Sequence, residues 1–364
     1  MSQMNILQAT QAYERWSARQ VPFVSDDLRL KHAMMTQSGF SFLRATCYRW
    51  MQVWPEVCAE LAGAPSLRAV GDLHVENFGT WRDSEGRLIW GINDFDEACV
   101  VPYTSDLVRL VVSAKLAGRA ERLAVKLDEA CEAVLTGYLE GLRAGGRPFV
   151  LSEQHPWLRE IATNSLRDPV KFWAKMAALP MVQGRVSHEV TNALEQVMPE
   201  AGLSYGLRRR VSGLGGLGRP RFVALAELRG GKVAREAKRL IASAGLWAQG
   251  RKGGGPLLYQ TMLEQSVRCR DPFVLMEGQW LLRRLSPYCS RIELTALPKK
   301  RDEGKLLYAM GWETANVHLG DQPRIKAVQR DLAARKSGWL RKAAKAMTKV
   351  TLADWKDWAK HHAG

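Results

Sequence analysis

The spacing of apolar residues changes near residue 200, and this change limits the fold more than any other feature of the sequence. Up to about Pro199, most segments repeat apolar residues at helical intervals, as in SDDLRLKHAMM from Ser25 and SDLVRLVVSAKLAG from Ser105. Beyond it the chain is rich in glycine and basic residues, and two β-like runs meet at Gly230 and Gly231, which predicts a hairpin preceded by a flexible loop. The chain therefore predicts an α+β protein.

Shorter elements complete this prediction. Apolar runs from Leu67 and from Arg87 flank a polar loop and predict two short strands, and Pro55 is expected to end the helical run before them. After the hairpin, we expect a helix from about Pro256 to Cys269, strands at PFVLME and WLLRRL, and a helix from about Asp302 to His318. Everything beyond Gly320 has helical periodicity.

Composition narrows the class of protein. Of the 364 residues, 46% are hydrophobic and 25% are charged, as in an ordinary globular protein. No apolar run has the roughly 18 residues of a membrane span and the N-terminus does not resemble a signal peptide, so we expect a cytoplasmic protein without a membrane partner. The six cysteines form no CxxC pair, which indicates neither a disulfide framework nor a thiolate metal site. A net charge of +16 favours polyanionic partners.

Two acidic segments carry the residues that most indicate chemistry. GDLHVEN begins at Gly71 after the first short strand, and NDFDE begins at Asn93 after the second. Phosphoryl transfer needs a carboxylate that accepts the proton of a hydroxyl, and an asparagine and a carboxylate that hold Mg²⁺. Asp72, Asn77 and Asp94 supply that set.

These motifs resemble the aminoglycoside-phosphotransferase and choline-kinase branch of the protein-kinase-like superfamily. The signature of that branch reads HGDLHxxN, then IDFD or IDWE, then a helix that carries an aspartate. The resemblance implies that Asp72 is the catalytic base, that Asn77 and Asp94 bind the metal with Asp96 as a second carboxylate ligand, and that Asp106 braces the catalytic loop.

The same segments resemble a bacterial family of unassigned function. Its members share GDxHxxNFG, NDFDE and an FxFxRG-like run, which corresponds here to Phe40 to Ala45. Arg44 in this run is a candidate for substrate or phosphate contact.

The order of the parts differs from that of the superfamily, in which a glycine-rich loop and a strand lysine precede the catalytic loop. Only 71 residues precede Asp72, and the matching parts lie downstream. Lys238 would bind phosphate oxygens, Glu264 on the next helix would pair with Lys238, and the loop backbone would cover the phosphates. The loop glycines concerned are Gly213, Gly215, Gly216 and Gly218. By itself, such a hairpin also fits a simple flexible turn.

This order predicts a circularly permuted, two-lobed protein-kinase-like fold with extra helices at both ends. Residues 1–200 would form a mostly helical C-lobe-like region with the catalytic and metal-binding loops. Residues 201–298 would form the N-lobe-like region, and residues 299–364 a helical region that returns to the C-lobe.

The implied activity is an ATP- and Mg²⁺-dependent transfer of the γ-phosphate to a hydroxyl of a small molecule or a protein, with Asp72, Asn77 and Lys238 as catalytic residues. One alternative is a nucleotide-binding protein that either has no phosphotransfer activity or transfers AMP. Another is a nucleic-acid-binding protein, which only the net charge supports. GDxH also occurs in metallophosphoesterases, but the seven histidines form neither a GNH nor a GHxH motif.

Overall fold

The computed structural model describes residues 4–119, 123, 125–163, 168–287, 289 and 302–362. Within these residues the chain is a mixed α+β protein, as the sequence predicts. The helices are α1 (Ile6–Ala18), α2 (Ser25–Thr36), α3 (Gly39–Ala45), α4 (Cys47–Val57), α5 (Ala59–Ala62), α6 (Tyr103–Arg119), α7 (Leu127–Arg143), α8 (Pro156–Ala162), α9 (Pro169–Ala177), α10 (His188–Val197), α11 (Ala244–Ala248), α12 (Tyr259–Gln265), α13 (Glu303–His318), α14 (Gln322–Ala334) and α15 (Trp339–His361). The strands are β1 (Ser66–Ala69), β2 (Phe78–Arg82), β3 (Leu88–Ile92), β4 (Cys99–Pro102), β5 (Phe149–Val150), β6 (Gly206–Arg209), β7 (Arg221–Leu228), β8 (Gly231–Arg239), β9 (Val274–Glu277) and β10 (Trp280–Leu285).

The strands form three antiparallel sheets. Two small sheets, β1-β4 and β2-β3-β5, carry the acidic loops, and a five-stranded sheet with the order β6-β7-β8-β10-β9 carries the glycine-rich segment. Arg229 and Gly230 join β7 to β8 with positive φ angles of 48° and 82°. A two-residue turn of this kind matches the twist of a hairpin, which explains the turn that the sequence predicts here.

The five-stranded sheet is covered by helices that precede it in the chain. Val190 and Leu194 of α10 are fully buried in one apolar cluster with Ala224, Ala237 and Leu282 of the sheet. A second cluster joins α9 to the sheet. These two helices, which belong to the predicted region 1–200, therefore pack on the strands of the predicted region 201–298.

Helices α7 and α13 pack so closely that glycines are required between them. A Cβ atom on Gly137 would lie 2.0 Å from the carbonyl oxygen of Tyr308, and one on Gly311 would lie 2.1 Å from that of Val134. No side chain fits at these distances, so the two helix backbones are in direct contact. This pair forms part of the large apolar cluster beneath the acidic loops.

Two local predictions differ from the structure. Pro55 lies inside α4, which ends two residues later at Val57, because a proline in the last turn removes only one helical hydrogen bond. The strand β6 takes up part of the segment expected to be a flexible loop, because its backbone groups pair with β7.

Within the described part of the chain, none of the helices has the length and apolar character needed to cross a bilayer.

Candidate active site

A narrow cavity of about 40 Å³ lies where the acidic loops, the glycine loop and the N-terminal helices meet. Most residues that the sequence predicts as functional line it, although more than 110 positions separate the two groups in the chain. These are Asp72, Asn77, Asp94, Asp96, Gly213, Gly215, Gly216 and Lys238. A cavity of this size holds a few water molecules at most.

Asp106 of α6 fixes the backbone that leads to Asp72. Its buried carboxylate accepts hydrogen bonds from the backbone N–H groups of Val70 (2.8 Å) and Gly71 (3.0 Å). His318 Nε2, at the end of α13, lies 3.1 Å from the same carboxylate. Gly71 has φ +79°, and a Cβ atom there would lie 2.2 Å from the Glu97 carbonyl oxygen, so only glycine fits this turn. The arrangement holds the loop after β1 rigidly.

The Asp72 carboxylate points into the cavity and forms an ion pair with the buried guanidinium of Arg109. Arg109 also donates a hydrogen bond to the Leu43 carbonyl oxygen (2.8 Å), which fixes its position. Burial raises the pKa of Asp72 to about 7, against the opposing effect of Arg109. A carboxylate with a pKa near neutrality is suited to accept and release a proton at physiological pH.

Asn77 closes the same loop. Its Oδ1 atom accepts the His74 backbone N–H at 2.6 Å, and its own N–H donates to the His74 carbonyl oxygen at 2.9 Å. Glu76 forms an ion pair with Arg44 (2.6 Å). Arg44, for which the sequence indicates a substrate or phosphate contact, therefore binds the loop itself. The loop thus holds the Asn77 side chain at the cavity.

Asp94 and Asp96 share the ammonium group of Lys238. Lys238 Nζ contacts Asp96 directly and lies 3.7 Å from Asp94, whose side chain is 39% exposed. Burial and the neighbouring Asp94 raise the pKa of Asp96 to about 6. Although burial acts in the other direction, the ammonium holds the pKa of Asp94 below its usual range. The repulsion expected between these carboxylates is therefore offset by one cation.

The glycine loop, residues 213–218, reaches from β6 over both acidic loops to β7. A Cβ atom on Gly215 would lie 3.5 Å from Asp72 Oδ2, and one on Gly216 would lie 3.7 Å from Lys238 Cε. Leu214 and Leu217 hold the loop down because both are buried in an apolar cluster with α1, α2, α3 and α15. Gly218 does not line the cavity; its carbonyl oxygen accepts the Val24 N–H at 2.8 Å.

The prediction that Lys238 forms an ion pair with Glu264 is wrong. Glu264 lies on the exposed side of α12, where it accepts a hydrogen bond from Gln260 (2.6 Å). Lys238 extends from β8 toward the acidic loops instead, because Asp94 and Asp96 lie directly below the sheet. Its carboxylate partners come from the loop after β3.

Three cations that line the cavity were not among the candidates predicted from the sequence, namely Lys31, Arg219 and Arg221. Lys31 of α2 is 6% exposed, and its ammonium lies 3.3 Å from the Gly215 carbonyl oxygen. Arg219, just after the glycine loop, pairs with Glu97 at 3.3 Å. Lys31 gives no signal in the sequence, because SDDLRLKHAMM fits an ordinary amphipathic helix. Arg109, the partner of Asp72, does give a signal in the sequence, because it interrupts the apolar run LVRLVV four residues after Ser105.

The acidic residues fit a magnesium ion bound together with phosphates. Asp96 Oδ1 is buried and has no hydrogen-bond partner, and Asp94 faces the cavity. Mg²⁺ usually takes one or two carboxylates and completes its shell with water and substrate phosphates. Among the described residues, no cluster of three or more His, Cys, Asp or Glu side chains able to hold a metal occurs.

Comparison with known proteins gives one similarity. The model of a family described as "Uncharacterized protein conserved in bacteria (DUF2252)" matches residues 23–199. The chain is similar to this family over both acidic loops, which confirms the predicted resemblance to a bacterial family of unassigned function. The match ends before the glycine loop and Lys238. No curated protein and no solved structure matched the chain.

Proposed function

We propose that this protein is an ATP- and Mg²⁺-dependent phosphotransferase that moves the γ-phosphate to a hydroxyl group of a small molecule or protein. The observation that carries the proposal is the position of the glycine loop. It lies directly over Asp72 on one side and over Lys238 and Asp96 on the other. A kinase needs a glycine-rich loop, a catalytic aspartate, a metal-binding aspartate and a lysine around one space. In protein kinases the lysine lies on the third strand of the sheet that carries the glycine-rich loop. Lys238 lies on β8, the third strand after β6 and β7.

Each group has a role in this proposal. Asp72 accepts the proton as the acceptor oxygen attacks the γ-phosphorus, and ADP leaves with the electrons of the broken P–O bond. Asp94, Asp96 and Asn77 would hold Mg²⁺, which neutralises charge on the β- and γ-phosphates when bound. Lys238, released from the carboxylates, would bind phosphate oxygens.

The Lys238 ion pair has a consequence for binding. A buried pair that loses one partner leaves an uncompensated charge, which costs about 3 to 5 kcal/mol. A nucleotide without metal would take Lys238 from both carboxylates, and the cost would fall mainly on Asp96, which is 11% exposed, because Asp94 is 39% exposed. Mg²⁺ and nucleotide are therefore expected to bind together.

The cavity of about 40 Å³ is also smaller than the roughly 300 to 1,000 Å³ of ordinary ligand sites, so the glycine loop has to lift for the phosphates to enter. The glycines of the loop make that movement inexpensive, since they adopt many backbone conformations. The apolar contacts of Leu214 and Leu217 would favour the closed position of the loop.

Incubation with Mg²⁺ and a metabolite extract, using ATP labelled at the γ- or the α-phosphate, tests the proposal. Transfer of the γ-label alone is the expected result. Transfer of the α-label would instead identify an AMP transferase, and no transfer despite binding would identify a nucleotide-binding protein.

The matched variants are Lys238→Met and Lys232→Met. Lys232 is on the same strand but exposed, so it serves as the control. Lys238→Met should abolish transfer while Lys232→Met retains it. Equal activity in both variants would exclude the proposed role of Lys238.

A further inference from the structure

Among the described residues, one cation of the cavity, Lys31, has no carboxylate within 4 Å. Every other cationic side chain that lines it lies within 4 Å of a carboxylate: Arg44 with Glu76, Arg219 with Glu97, Arg221 with Glu236, and Lys238 with Asp94 and Asp96. Among the described residues, Lys31 has only the neutral carbonyl oxygen of Gly215, at 3.3 Å.

Such an arrangement is costly for the folded protein. Burial of an ammonium without a counter-ion is unfavourable, and here Arg219 adds repulsion. Burial and Arg219 lower the pKa of Lys31 to about 8, although Glu14, Glu97 and Asp72 act in the opposite direction. Unfavourable charges of this kind are concentrated at functional sites, where a ligand supplies the missing partner. An anionic ligand group in the cavity would supply it for Lys31.

The glycine loop indicates which anionic group this is. Gly216 borders Lys238 and Asp96, where the nucleotide phosphates and the metal would lie in the proposed function. Gly215 borders Asp72, where the acceptor hydroxyl would lie. The two glycines are adjacent, so their Cα atoms are about 3.8 Å apart. A group that passes from the nucleotide to the acceptor therefore crosses at Gly215, beside Lys31.

We infer that Lys31 contacts the phosphoryl group that is transferred, and that it is a catalytic residue supplied by α2. This inference rests on the proposed phosphotransferase function. Charge on the equatorial oxygens of the phosphoryl group is stabilised by a preorganised cation in the transition state, and the acceptor proton passes to Asp72 as before. The contribution comes from a helix outside the segments that resemble the kinase superfamily.

The test compares Mg-ADP with the Mg²⁺ complex of the β,γ-imido analogue of ATP, which carries the γ-phosphoryl group. Calorimetry on the full chain gives both affinities. Lys31→Gln should weaken binding of the imido analogue about 10- to 100-fold, as expected for a charged hydrogen bond, and change that of Mg-ADP less than twofold. Lys31→Arg should preserve the preference for the analogue.

Two controls keep the result interpretable. Lys345→Gln removes an exposed lysine on α15 and should change neither affinity. Thermal unfolding of Lys31→Gln establishes that the variant is folded.

Each other outcome is decisive. If wild type binds both nucleotides and Lys31→Gln weakens them equally, or neither, Lys31 does not contact the γ-phosphoryl group and the inference is wrong. If wild type binds neither nucleotide, the proposed function itself is wrong and the inference falls with it.

Discussion

The glycine loop permits a substitution that should separate folding from nucleotide binding. A Cβ atom on Gly216 would lie 3.6 Å from Arg221, 3.7 Å from Lys238 and 3.9 Å from Asp96, all ordinary contact distances. Its φ angle is not positive, so alanine meets no backbone strain. Alanine in place of a compatible glycine usually stabilises a fold by about 0.4 to 1 kcal/mol. Gly216→Ala should therefore fold at least as well as wild type.

The added methyl group would, however, occupy space that the phosphates need. It would extend toward Lys238 and Asp96 into a cavity of only about 40 Å³. We expect at least a tenfold loss of affinity for Mg-ATP, or about 1.4 kcal/mol.

Thermal unfolding measures both effects. For 364 residues the unfolding entropy is about 0.76 kcal/mol/K, from a typical 2.1 cal/mol/K per residue. Ligand at 100 times its dissociation constant stabilises wild type by about 2.7 kcal/mol, which corresponds to a Tm increase of about 3.5 °C. At the same concentration, a tenfold weaker variant gains about 1.4 kcal/mol and therefore about 2 °C.

Gly231→Ala is the matched control, because it lies at an exposed end of β8 and its Cβ atom would meet only the Leu228 carbonyl oxygen, at 3.7 Å. It should show the full increase of wild type. An equal increase in Gly216→Ala and wild type would refute the position that we assign to the phosphates.

Further predictions concern the carboxylates and the helix packing. Asp72→Asn should leave Mg-ATP binding nearly intact and slow transfer by about 10² to 10⁴. Asp94→Asn should weaken the Mg²⁺-dependent part of nucleotide binding, which calorimetry with and without Mg²⁺ measures. Equal losses of binding in the two variants would mean that the two roles are assigned wrongly. Because burial raises the pKa of Asp72 to about 7 and a base acts in its ionised form, the transfer rate should rise with pH up to about 7 and level off above it; a rate independent of pH between 5 and 8 would contradict this role. Gly137→Ala forces α7 away from α13 and should lower the free energy of unfolding by about 1 to 3 kcal/mol in denaturant titrations, whereas Gly63→Ala, with no atom within 4 Å of its Cβ, should not.

Local signals in the sequence were sufficient for the hairpin, for the position of Lys238 and for the two acidic loops. The positive-φ turn at Gly230 and the β-like runs on either side identify the hairpin, because turn chemistry acts over a few residues. The position of Lys238 on β8 follows from the same local pattern. The two acidic loops are recognisable because each combines several charged residues directly after a short apolar strand.

Contacts between distant segments could not be obtained in this way. The partner of Lys238 was expected on α12, but it is provided by Asp94 and Asp96, which precede it by more than 140 residues. Likewise Lys31 enters the cavity only because α2 packs beneath the glycine loop, where the Val24 N–H binds the Gly218 carbonyl oxygen. Neither contact has a local sequence signal, since it depends on how separate elements pack.

The end of α13 and the strand β1 meet at one junction, and this junction bears on the chain order in the proposed function. Arg68 of β1 donates its backbone N–H to Asp321 (3.0 Å) and its guanidinium N–H to the Gly320 carbonyl oxygen (2.9 Å). The end of α13 therefore lies beside the strand that leads to Asp72, although 253 positions separate Arg68 from Asp321 in the chain. His318 reinforces the junction through Asp106. Because phosphoryl transfer depends on the positions of the groups and not on their order in the chain, a permuted connection is compatible with the chemistry that we propose.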